Sequence, residues 1–150
     1  MTITKFSLVL AFLLGFSFQA QSAPSTLKID QNQKNMVSDR YLRDAHGLVK
    51  HDLSLDEVRF VILNAALNNK GVKWILEEDG ESYMVLRWDY GETVIYSRVE
   101  YDGQHIQLKY FDAHGDFKCF NNIDGICYRN QNKDFYEYMK QLRTSITRLL

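Results

Sequence analysis

The stretch LNNKGVKWILEEDGESYMVLRW, residues 67–88, is where the hydrophobic rhythm of the chain changes. Ahead of it, LSLDEVRFVILNAALNNKG sets Leu55, Val58, Val61, Ile62, Ala65 and Ala66 three or four residues apart, the spacing of one helical face. Ser54 can cap that helix while Glu57 reaches back to it, Leu53 can staple onto Val58, and Gly71 offers a left-handed stop. Beyond Gly71 the apolar residues fall on every second position, which is strand periodicity. VKWILE, SYMVLRW, TVIYSRVEY and HIQLKYF read as four strands, separated by short turns at Asp79-Gly80, Tyr90-Gly91 and Asp102-Gly103. Three successive hairpin connections imply an antiparallel meander.

Working downstream, NKDFYEYMKQLRTSITRLL closes the chain as a second amphipathic helix, with Phe135, Tyr138, Met139, Leu142, Ile146 and Leu149 on one face. Asp134 near its start and Arg143 and Arg148 toward its end suit the helix dipole. The expected fold is therefore α+β: a four-stranded antiparallel meander with an N-terminal and a C-terminal helix packed on one face. Alternation assigns Val72, Trp74, Leu76, Met84, Leu86, Trp88, Ile95, Val99, Tyr101, Ile106, Leu108 and Tyr110 to the buried side. Tyr83, Val85, Arg87, Tyr96, Arg98, Glu100, Lys109 and Phe111 fall on the other.

Working upstream, residues 23–52 are polar and weakly patterned and read as an arm or a loosely packed first element ahead of a single α+β domain, residues 53–150. Residues 1–22 read as a secretory signal peptide, with Lys5 ahead of an apolar run over 6–18 and then the small, polar stretch QAQSA. That run is shorter than the ~20 residues a spanning helix needs. Cleavage is expected after Ser22, with Ala20 as second choice, leaving a soluble periplasmic or secreted chain without a membrane span. In an oxidising compartment the only two cysteines, Cys119 and Cys127, are expected to form a disulfide around the turn at Asp124-Gly125. Their spacing excludes a C-x-x-C redox motif.

Eighteen basic and nineteen acidic residues leave a formal charge of −1, which argues against nucleic acid as the principal partner. The order helix, KGVKW, alternating strands ending in KYFDA, and an aromatic helix with FYEYMKQL resembles a family of small uncharacterised exported proteins and lipoproteins of Gram-negative bacteria. That family tends to show Gly-Trp at the helix-to-strand junction, where this chain has Gly71 and Trp74. It also shows Tyr-x-Asp-Ser after the last strand, matched by Tyr110, Asp112 and Ala113, and Tyr-x-x-Trp-x-x-x-Leu in the final helix, matched by Phe135, Tyr138 and Leu142. The resemblance covers residues 53–150. This chain lacks the lipid-bearing cysteine and adds Cys119 and Cys127. The resemblance implies the fold and the periplasm, and no known reaction.

For chemistry, DAHGD gathers Asp112, His114 and Asp116, a mix of imidazole and carboxylate that a divalent metal would accept and that equally well makes a turn. Gly-x-Ser-x-Gly is absent, no metal-ligand spacing is recognisable, and no cofactor is indicated. The richer candidate is the uncovered sheet face, where Tyr83, Arg87, Tyr96, Arg98, Lys109 and Phe111 combine flat amphipathic rings with donors. Such a face could bind a protein, peptide or glycan of the cell envelope. Cross-strand aromatic and ion pairing that only stabilises the sheet is the competing explanation. The expected function is a non-enzymatic binding or accessory module. The alternative is a small hydrolase or metal-dependent enzyme at the loop 112–116, and a homo-oligomer through the face or an edge strand is also compatible.

Overall fold

A computed structural model describes residues 23–150. The signal peptide expected over residues 1–22 lies outside the described residues. The elements run α1 (Asp39–His46), β1 (Val49–Lys50), α2 (Leu55–Asn68), β2 (Ile75–Asp79), β3 (Tyr83–Tyr90), β4 (Thr93–Tyr101), β5 (His105–His114), a 3-10 turn (Gly115–Phe117), β6 (Cys119–Ile123), β7 (Ile126–Asn130) and α3 (Asp134–Thr147). The change of rhythm at Gly71 is real. Ser54 and Glu57 form the reciprocal capping box at the start of α2, and Gly71 adopts a φ of +82°, a conformation that a residue with a Cβ rarely takes.

The class is α+β, and the meander β2–β3–β4–β5 is antiparallel throughout. Its detail is richer than the four strands and two helices expected. The short β1 joins the far side of β5, giving a five-stranded sheet of order β1-β5-β4-β3-β2, and β6 and β7 form a separate two-stranded hairpin. The stretch 23–52 is an integral part of the fold: α1 packs on α3 and buries Leu42, Ala45 and His46. Residues upstream of α1 are tied down as well. The Tyr128 hydroxyl accepts from the Asp30 N–H and donates to the Lys28 carbonyl, while Val37 N–H donates to the Tyr128 carbonyl.

One contiguous core joins the first face of the sheet to all three helices. Of the twelve side chains assigned to that face, eleven are buried and Leu76 is 40% exposed. A bulge at Glu77 and the outermost position of β2 account for the difference, since an edge strand has neighbours on one side only. Leu55 and Leu149 are also exposed, beyond the ends of the buried stripes of α2 and α3. In α3 Tyr136 is buried, its hydroxyl donating to the Cys127 carbonyl at 2.9 Å, whereas Tyr138 is half-buried against Trp88 with ring centroids 4.3 Å apart.

The outer side of β5 beyond β1 is occupied, which limits where the sheet is open. His46 donates from Nδ1 to the Leu108 carbonyl at 2.9 Å and accepts the Cys127 N–H on Nε2 at 3.3 Å. Tyr110 N–H donates to the Gly125 carbonyl at 2.7 Å. The hairpin turn therefore rests directly on β5, and a Cβ at Gly125 would meet Lys109 Cβ at 2.7 Å. Cys119 and Cys127 are joined in a disulfide with Cα atoms 5.8 Å apart, closing the β6–β7 hairpin.

Candidate functional site

On the second sheet face, register places the expected residues side by side. Tyr83, Glu100 and Gln107 stand in one cross-strand row, Val85, Arg98 and Lys109 in the next, and Arg87, Tyr96 and Asp112 in a third. Phe111 falls in the β5 bulge between Tyr110 and Asp112, has no Cα partner and is 47% exposed. All six candidates thus occupy contiguous strands. They are not equivalent.

Burial divides them. Lys109 is buried and Glu100 is 1% exposed, although both were assigned to an open polar face. The hairpin turn at Gly125 covers Lys109, and the upstream segment covers Gln107, whose side chain donates to the Ser25 and His46 carbonyls. This coverage corrects the sequence-based expectation that the whole second face faces solvent. Residue patterning within β5 could not have revealed a roof contributed by segments far along the chain. Val85, also assigned to this face, is 2% exposed, and the open area runs around it across β2, β3 and β4 and ends at Phe111.

Charge is organised around Glu100. Its Oε1 lies 3.0 Å from Arg98 Nε and its Oε2 lies 2.7 Å from Lys109 Nζ, so one buried carboxylate serves two cations. Arg98 also lies over the Tyr83 ring, 3.6 Å from its centroid, a cation–π contact. The Tyr83 hydroxyl donates to Glu78, which raises its pKa; burial adds to that shift. Arg87 is held by Glu77 and, at 3.0 Å, by Asp89. The three cations are therefore already engaged by acids. The face offers rings and edge-on donors more than net positive charge. Arg98 and Glu100, two apart on β4, are the sequence signal for this hub.

The loop candidates separate differently. Asp112 accepts the Ala113 N–H at 2.8 Å, His114 ends β5 edge-on to the Tyr96 ring at 6.1 Å, and Asp116 lies in the 3-10 turn. Among the described residues no group of three or more His, Cys, Asp or Glu converges on a common point. His46, missed by sequence reading, is the one strongly perturbed histidine: burial lowers its pKa to about 4, and the nearby Lys109 charge adds to this, against the opposing bond to the Leu108 carbonyl. Its two ring bonds are structural and fix the neutral tautomer.

Among the described residues no helix is long and apolar enough to cross a membrane. Comparisons with protein-family profiles, curated proteins and solved structures returned no match.

Proposed function

We propose that this chain is a non-enzymatic binding or accessory module of an exported compartment, periplasmic or secreted, that holds a glycan strand on the second face of its sheet. The observation that carries the reading is the one-sided packing of the helices, which leaves Tyr96, Phe111 and part of Arg87 as a flat, partly exposed surface spanning β3 to β5. Flat rings flanked by fixed donors and acceptors suit a ligand with apolar ring faces and many hydroxyls. The cations there are paired with carboxylates, which favours an uncharged polyol over an acidic partner. The disulfide is compatible with an oxidising location. The alternative at the loop 112–116 draws no comparable support, because Asp112 is turned onto its own strand's backbone.

Titrating envelope glycan fragments into isotope-labelled protein should shift amide resonances of β3, β4 and the Phe111 bulge. Tyr96→Ala with Phe111→Ala should weaken that binding at least tenfold, the order of one good stacking contact per ring. Shifts confined to another surface, or binding unchanged in the double variant, would remove the proposal. Selective binding of peptides in place of glycans would replace the ligand class.

A further inference from the structure

A second concave region lies away from the sheet face, where the end of α2 meets the outer side of α3. Two adjoining hollows, of about 260 and 220 Å³, share Asn69, Lys70, Ser145 and Arg148 in their walls. One stripe of α3 and its C-cap supplies one wall, with Glu137, Lys140, Thr144 and Arg148 three or four residues apart and Ser145 beside Thr144. This is the polar stripe; the buried residues Phe135, Met139, Leu142 and Ile146 lie on the opposite side of the helix.

Asn69 is the informative residue. Its side chain is 7% exposed, its Oδ1 accepts from the Ser145 hydroxyl at 2.9 Å, and its Nδ2 is a buried donor with no hydrogen-bond partner among the described residues. Buried donors in folded proteins are nearly always paired, with protein or with water, so one left over in the wall of a hollow marks a place for an acceptor that enters from outside. The charges point the same way. Lys140 is engaged by Asp44 at 3.4 Å and Glu137 at 3.8 Å, but neither Lys70 nor Arg148 forms a salt bridge with a described residue. The carbonyl ends of α2 and α3 both come to this groove, each the equivalent of about half a negative charge, and Glu137 lines its wall. With Lys70, Lys140 and Arg148 set against these, the lining still carries net positive charge, on a protein whose net charge is −1.

From the orphaned Asn69 donor and the Lys70–Arg148 pair we infer that the α2–α3 groove binds a phosphate group, either as a small phosphomonoester or as the headgroup of a lipid. Asn69 Nδ2 and the Thr144 hydroxyl donate to the phosphoryl oxygens. Arg148 supplies a planar fork that matches two of them, and Lys70 supplies a point charge. A dianion suits two cations where a single carboxylate would leave one unmatched. This site is independent of the sheet-face reading.

The test uses the full mature chain with inorganic phosphate, glycerol phosphate and vesicles containing phosphatidic acid, against sodium chloride at equal ionic strength. The amide side-chain resonances of Asn69 should move on titration, and melting should rise with phosphate beyond the general effect of an excluded salt. In Lys70→Glu with Arg148→Glu, both exposed positions, the specific shift should vanish and affinity should fall at least tenfold while the unliganded melting temperature holds. Asn69→Asp, which turns a donor into an anion, should abolish binding where it folds. A response to glycerol phosphate supports the small ligand, and a response to vesicles alone supports the headgroup. Silence of the Asn69 resonances with all three probes overturns the inference, as does an equal response in the charge-reversed variant.

Discussion

His46 shows how one side chain can join distant parts of a chain. Its ring links α1 to the Leu108 carbonyl of β5 and to the Cys127 N–H of β7, and the second of these bonds requires the neutral imidazole. Protonation turns Nε2 into a donor facing another donor. Since the folded pKa is held near 4, below the ordinary value of 6.5, the unfolded chain takes the proton first as pH falls. The stabilisation should be complete above about pH 6.5 and disappear progressively toward pH 4, on the order of 3 kcal/mol in all. Urea unfolding at pH 7 and pH 4.5, compared with His46→Gln, measures it: the variant should be less stable at pH 7 and should lack this part of the acid sensitivity. Glu100→Ala should cost about 3 kcal/mol or more in the same assay, because it takes from Arg98 and Lys109 the carboxylate they share in a desolvated site. A loss under 1 kcal/mol would mean that water reaches the pair after all.

At the scale of elements, the β6–β7 hairpin is the least self-sufficient part. It has five residues per strand and two register shifts, and leans on the rest of the protein through Tyr128, Tyr136 and the Gly125 carbonyl. Its disulfide restricts the unfolded chain and should contribute roughly 2–3 kcal/mol. Reduction, or the paired change Cys119→Ser with Cys127→Ser, should lower the melting temperature while the far-ultraviolet signal of the meander persists below the transition. Loss of all strand signal on reduction would make the hairpin part of the sheet's own nucleus. By contrast α2 and the meander carry their instructions locally. That is why Ser54, Glu57, Gly71 and the alternation from Met84 to Tyr110 were readable without the structure. The two residues of β1 are too short to express a period, and α1 has only Tyr41, Leu42 and Ala45 as apolar positions beside four charged residues among its eight. Their order comes from tertiary contacts that patterning does not record.

For the whole molecule, the same division decides which site was legible. The rows Tyr83–Glu100 and Arg87–Tyr96 follow from register within adjacent hairpins, so the candidate face could be assembled from local turns. The roof over Lys109 and the groove at Asn69 could not, since the first joins Gly125 to a strand sixteen residues earlier and the second brings Asn69 beside Ser145, 76 residues away. Contacts of such sequence separation are set by packing geometry, and only the residue chemistry is visible beforehand.

The occupied flank of β5 also limits how copies of the protein could associate. Strand addition needs a row of unpaired backbone groups, and among the described residues the five-stranded sheet offers its longer margin at β2, the flank of β5 being taken up by β1, His46 and the Gly125 turn. Two copies meeting β2 to β2 would use up that margin on each. Growth of this kind stops at a closed pair and has no means of running on into a fibre.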